Sequence, residues 1–177
     1  MKKFNFLLLA IGLLAGTQSF AQYAKGDKLL NVGIGLSSYY GGGLPIGASF
    51  EVGVTDEISV GAQIDYYSWN YNGYLGGYDY KYTFLPVAVR GSYHVNKLLN
   101  LNNDKIDLYG GLALGYYISR YSYNGPGGSS AFDNSYGNRV LFGLHLGGRY
   151  YFKPNLGAFA EVGYGVSALK LGVAFKF

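Results

Sequence analysis

The chain has 177 residues, of which 14% are charged and 18% aromatic, with 29 Gly, 20 Tyr and a formal net charge of +4. A hydrophobic fraction of 49% excludes a disordered chain, and glycine without a three-residue period excludes collagen. The absence of Cys excludes disulfides, thiolate chemistry, cysteine-bound metal and a lipidated cysteine. Setting aside Lys2 and Lys3 leaves twelve basic and ten acidic side chains, with no basic run to hold a nucleic acid.

Residues 1–21, MKKFNFLLLAIGLLAGTQSFA, read as a signal peptide. Lys2 and Lys3 form a positive head, Phe6 to Ala15 an apolar stretch, and Ser19 and Ala21 the small residues of a cleavage site before Gln22. A transmembrane helix is the competing reading, but the apolar stretch falls short of the ~20 residues a span needs. No other window is apolar enough for a helical span. A mature chain, 22–177, that crosses a membrane must therefore do so with strands closed into a barrel.

Eight segments alternate with a period of two. Their apolar positions are Leu30–Leu36, Ile46–Val54, Ile58–Tyr66, Leu85–Tyr93, Leu108–Ile118, Val140–Tyr150, Ala158–Tyr164 and Leu169–Phe177, every second residue in each apart from Gly91, Gly110 and Gly148. The opposite face carries Gly, Ala, polar and charged residues, and Gly110 interrupts the apolar face of the fifth segment. None of the apolar faces bears a charge. That absence sets the orientation, because a Lys or Arg facing lipid near the midplane costs about 2–4 kcal/mol. The reverse orientation would put Glu51, Arg90, Arg149, Glu161 and Lys170 in hydrocarbon. Nine residues tilted by ~40° rise roughly 23 Å, the height of an apolar belt. A soluble sandwich or lipocalin-like barrel would need a polar exterior, and the Gly- and Ala-rich face is a poor one.

The sequence therefore predicts an all-β fold, an eight-stranded antiparallel up-and-down transmembrane barrel with both termini periplasmic. Thr55–Glu57 and Lys153–Asn155 read as tight periplasmic turns. Ser37–Pro45, Ser68–Lys81 and Ser119–Asn138 read as longer outer loops. Val95–Lys105 is long for a periplasmic turn, and Ser167–Ala168 is short for an outer loop. Tyr66, Tyr67, Trp69, Tyr71, Tyr80 and Tyr82 near one end, and Tyr93, Tyr150, Tyr151 and Phe152 near the other, are expected mostly in girdles at the lipid headgroups.

Three stretches carry a resemblance. Leu169, Leu171, Val173, Phe175 and Phe177 alternate up to a terminal Phe, Leu146-Gly147-Gly148-Arg149-Tyr150-Tyr151-Phe152 precedes a tight turn, and Phe159-Ala160-Glu161-Val162-Gly163-Tyr164-Gly165 follows it. Over residues 28–177 the chain resembles the small outer-membrane barrel superfamily of OmpA-type transmembrane domains, OmpX and opacity-like porin-fold proteins. The resemblance implies an outer-membrane location in a Gram-negative bacterium. It also implies that the terminal strand is the signal read by the barrel-assembly machinery. It implies no activity, since one barrel fold hosts many functions.

Inside the barrel, glycines would make room for larger neighbours in a lumen that side chains can fill. Glu51, Arg90, Arg149 and Glu161 are predicted to form an ion-pair cluster low in the barrel. Arg149 and Glu161, placed almost symmetrically about Asn155, are expected directly opposed or one diagonal apart across the hairpin, within salt-bridge reach. The cluster reads as a plug that holds register, with a gate or selectivity ring as the alternative. His94 and His145 face the lumen on non-adjacent strands, outside any zinc-like spacing. No nucleophile, phosphate-loop or dinucleotide motif is present. Catalytic, cofactor and metal residues are therefore not assigned, and an enzyme is not expected.

Two functional readings are carried forward with a third behind them. In the first, the outer loops, with Trp69, Tyr71, Tyr74, Tyr78, Tyr121, Tyr123, Phe132 and Tyr136 among Gly, Ser and Asn, contact an extracellular ligand. The second is a narrow passive channel. The third is a lipid-A-directed enzyme, which would need a Ser–His–acid set near the membrane surface. Expected partners are outer-membrane lipid, the assembly machinery during insertion and a ligand of the loops.

Overall fold

A computed structural model describes residues 23–36, 38, 42–72, 79–124 and 138–177, and the backbone alone at 71–72, 79–80 and 121–124. The expected leader and the loop aromatics Tyr74, Tyr78, Phe132 and Tyr136 lie outside the described residues. The strands are β1 (Lys28–Gly35), β2 (Ile46–Gly53), β3 (Ile58–Asn72), β4 (Asp79–His94), β5 (Ile106–Asn124), β6 (Arg139–Lys153), β7 (Leu156–Tyr164) and β8 (Leu169–Lys176). Each pairs antiparallel with its sequence neighbours, and β1 pairs with β8 to close the barrel. Closure leaves no sheet edge, so every strand has two hydrogen-bonded neighbours.

The parity read from sequence places the side chains. Val32, Phe50, Val60, Leu114, Phe142, Leu146 and Val173 point outward and are exposed, forming a belt of bare hydrocarbon. Their neighbours Asn31, Glu51, Ser59, Ala113, His145 and Ala174 point inward and are buried. Leu171 and Val173 of the terminal strand share the outward face, opposite Ile34 and Val32 of β1.

The wall is uneven in height. β3 to β6 run for 15, 16, 19 and 15 residues, whereas β7, β8, β1 and β2 have 9, 8, 8 and 8. A strand of β5's length tilted by ~40° rises nearly twice the ~25 Å of an apolar belt. The tall strands alter two sequence expectations. Trp69, Tyr71, Tyr121 and Tyr123 are strand residues rather than loop residues, because β3 and β5 continue past the expected loop starts. Trp69 registers with Tyr82, Tyr71 with Tyr80 and Tyr82 with Tyr121, and such aromatic pairs favour strand over loop.

The girdle expectation fails for four residues, Trp69 again among them, and parity explains it. Tyr67, Tyr82, Trp69 and Tyr151 occupy lumen positions. Tyr67 and Phe84 stack at 4.9 Å, as do Trp69 and Tyr82 at 5.1 Å. With Ala88, Ala113, Tyr117, Leu141 and Val166 they fill the lumen towards the loop end. The Tyr117 hydroxyl donates to the Gly165 carbonyl and ties this packing to the β7–β8 turn. Near the opposite end Phe159 lies across Gly33 and Gly172, where an added Cβ would stand 2.9 and 2.7 Å from its ring.

Candidate functional site: a charged lumen

Below the aromatic packing the lumen is ionic. Glu51 sits at its centre, fully buried. Its Oε1 faces Arg90 Nε at 3.1 Å and Arg149 Nη2 at 3.5 Å. Its Oε2 accepts hydrogen bonds from Ser59 Oγ at 2.8 Å and Ser92 Oγ at 2.6 Å. Arg90 extends from Glu51 to Glu161, at 2.9 Å, and donates to Gln63 Oε1 at 3.3 Å. Arg149 pairs with Asp107 at 2.6 Å, donates to Asn31 Oδ1 at 3.0 Å, and lies 4.0 Å over the Tyr109 ring.

The four charged residues picked out in the sequence thus meet, through a different set of bonds. Arg149 and Glu161 lie one diagonal apart, since Arg149 registers with Phe159 and Gly147 with Glu161. They do not pair directly, and the cluster is not built on that hairpin. A bulge between Tyr151 and Lys153 shifts the ladder away from symmetry about Asn155. The direct cross-strand partner of Arg149 is Asp107 on β5. Asp107 was legible as an inward residue, but only the β5–β6 register identifies it as a partner.

Glycine explains how the remaining partners reach each other. Glu51 registers with Gly61, and Gly61 with Arg90. Ser92 registers with Gly111, and Gly111 with His145. Tyr109 registers with Gly147, and Gly147 with Glu161. In each row a residue without a side chain separates the two partners, so they meet across an intervening strand. Tyr109 donates to Glu161 at 3.2 Å over Gly147, where a Cβ would stand 2.6 Å from the Tyr109 hydroxyl oxygen.

Both histidines join this network. His94 Nδ1 lies 2.6 Å from Asp107 Oδ1 and its Nε2 3.0 Å from Ser59 Oγ. His145 Nε2 lies 2.9 Å from Ser92 Oγ. Ser59, His94 and Asp107 thus have the connectivity of a nucleophile, a base and its orienting acid. The surroundings differ from those of a hydrolytic site. Ser59 is fully buried, and its Oγ also faces the Glu51 carboxylate, whose charge would oppose an oxyanion formed there. Among the described residues, two lumen cavities have volumes of about 20 and 10 Å³, enough for a water each. Ser59 lines neither of them.

Two further pairs flank the network. Asp65 meets Lys170 at 2.5 Å beside the larger cavity, and Asp27 meets Lys176 at 3.5 Å at the turn end. Among the described residues no three His, Asp or Glu converge as a metal ligand set. At the turn-end rim, exposed Lys97 bridges Asp56 at 3.2 Å and Glu57 at 2.9 Å. These bonds raise the ammonium's pKa, and the Lys97 and Lys25 N–H donors lower that of Asp56.

The fold has solved counterparts. No family model and no curated protein matches the chain. OprG of Pseudomonas aeruginosa superposes with a TM-score of 0.64 at 14% identity, covering 90% of this chain and 99% of that one. Ail of Yersinia pestis, crystallised with the heparin analogue sucrose octasulfate, gives 0.50 at 17% identity, covering 86% and 99%. A de novo designed transmembrane β-barrel gives 0.50 at 16% identity, covering 88% and 99%. By its fold the chain stands with the small eight-stranded outer-membrane barrels, the architecture its sequence resembles.

Proposed function

We propose that the chain is an outer-membrane barrel, exported by a leader removed before Gln22, with both termini in the periplasm. Its lumen is closed and its work is done by the loop end. The observation carrying this reading is that the interior is filled at two levels. Aromatic packing occupies the loop-end half and an ion-paired network the turn-end half. A hydrated ion has no room in cavities of about 20 and 10 Å³. The ion network is a plug that holds register, and Leu169, Leu171, Val173, Phe175 and Phe177 serve as the assembly signal. We read the protein as a non-enzyme, a reading supported by the burial of Ser59 and by its absence from the lining of the two small lumen cavities among the described residues.

The loops are the remaining candidate for specific contact. Ail is a barrel of this fold crystallised with a polyanion. Segments 37–45, 73–78 and 125–137 of this chain contain no Lys or Arg, and exposed Lys81 and Arg120 stand below them on the strands, a sparser cationic set than suits a polyanion. Their Tyr, Gly, Ser and Asn suit neutral, hydroxyl-rich surfaces such as glycans.

Planar-bilayer recording tests the closed lumen. The wild type and the single variants Glu51→Gln and Phe84→Ala show no steady unitary current, because each leaves one level intact. The double variant conducts. Steady current through the wild type rejects the plug and favours the channel. A neutral-glycan array tests the loops, since signal from the wild type is expected to vanish on excising 125–137. An array silent for the wild type rejects the glycan reading.

A further inference from the structure

The turn-end mouth is closed by a segment outside the strand ladder. In residues 23–27, Tyr23 inserts its side chain and is almost completely buried. Its ring lies flat on His94, with centroids 3.5 Å apart and planes 2° from parallel. Its hydroxyl, 2.9 Å from the Thr55 carbonyl and 2.5 Å from the Ile58 carbonyl, donates to this pair. Gly53 leaves space for the ring's tip, since a Cβ there would stand 3.0 Å from the Tyr23 oxygen. The backbone is clipped alongside by Gly26 N–H to Gly53 O at 3.0 Å and Gly53 N–H to Asp27 O at 2.8 Å. The Asp27 carboxylate accepts from Ala24 N–H at 2.9 Å and faces Lys176.

The seat beneath this side chain has its own chemistry. The floor is an imidazole ring held in its plane by Asp107 on one nitrogen and Ser59 on the other. The far rim offers two carbonyl oxygens converging on one O–H donor. A flat apolar floor with acceptors only at the far edge matches a ring carrying one hydroxyl; the Ile58 carbonyl also accepts from the Val54 and Thr55 N–H groups, so a ring without a hydroxyl leaves the Thr55 carbonyl short of its donor. The ties of segment 23–27 reach the β2–β3 turn, His94 and Lys176 but lie outside the strand ladder, so the segment can open while the closed sheet stays intact.

We propose that the turn-end mouth is a binding site for a phenolic ring which the chain fills with its own Tyr23. Segment 23–27 is a detachable plug, and its withdrawal leaves a seat that takes a phenol from outside. The proposal stands on the plug and its seat, and does not depend on what the loops bind.

The chain's only two histidines make the test internal to the molecule. His94 forms the floor of the seat, while His145 lies deeper, bonded to Ser92 beside the larger cavity. Purified barrel in micelles is treated with diethyl pyrocarbonate, and modification is mapped at each histidine by mass spectrometry. Heat-modified gel mobility verifies that each variant is folded. Both histidines react slowly in the wild type. Tyr23→Ala speeds His94 by at least about tenfold, the mark of a lost local closure, and leaves His145 slow. Tyr23→Phe, which keeps the stack and loses the two hydrogen bonds, falls between. p-Cresol restores protection of His94 in Tyr23→Ala, as an engineered cavity takes up the group it lost, and toluene does not.

The plug is overturned if His94 reacts as fast in the wild type as in Tyr23→Ala. It is equally overturned if both histidines accelerate together, since Tyr23 would then be holding the barrel rather than closing its mouth. Protection by toluene equal to that by p-cresol, or none by either, overturns the phenol seat.

Discussion

The two halves of the lumen are filled by opposite means. The loop-end half is packed by volume: Tyr67, Phe84, Tyr117 and Leu141 meet as bulky surfaces, and their contacts need size more than identity. The turn-end half is filled by identity. Glu51 serves two guanidinium groups and two serine hydroxyls at once, and a side chain of the same shape without the charge would serve neither guanidinium as an ion. The glycine rows belong to this second half, where they let partners reach across a strand. The comparison teaches that a closed barrel can be filled tolerantly at one level and specifically at another. The specific level is what records the strand register.

Glu51→Gln gives the largest expected effect and tests this contrast most directly. It conserves shape and removes the shared anion, leaving Arg90 and Arg149 each short of a partner in a buried place. A loss of about 3–5 kcal/mol is expected in urea unfolding from lipid vesicles. A loss indistinguishable from zero would mean that the ionic half is as tolerant as the aromatic one. Gly147→Val comes next, because its Cβ would collide with the Tyr109 ring and displace the hydroxyl from Glu161. Its expected cost in the same experiment is about 1–3 kcal/mol, with the native band retained on heat-modified gels. The smallest effect belongs to Leu141→Met, which swaps shape at nearly constant volume in the aromatic half. It is expected to cost under about 1.5 kcal/mol, and a cost equal to that of Glu51→Gln would erase the distinction.

Strand count, order and parity were readable because period-two alternation is a local property of consecutive residues. The inward placement of Glu51, Arg90, Arg149 and Glu161 followed from it. Pairing did not, because it depends on register across strands. Near-symmetry about Asn155 leaves Arg149 and Glu161 opposed or one diagonal apart, and only the register selects the diagonal and sets Arg149 against Asp107 of β5. Nearness to strand ends suggests a girdle for Tyr67, Tyr151 and Trp69, but their parity points inward, and parity decides. The role of Tyr23 carried no sequence signal, for it lies outside every alternating segment.

The amino-acid order by itself determined which face of each strand meets hydrocarbon and which meets the interior, because successive side chains alternate and the cost of a charge in lipid chooses between the two faces. Tertiary structure alone decided which ions share a carboxylate, which partners reach over a glycine and which ring closes the mouth. Those contacts join residues far apart in the chain, as between Glu51 and Arg149, 98 positions apart. Their distances exist only once eight strands have closed with one set of registers.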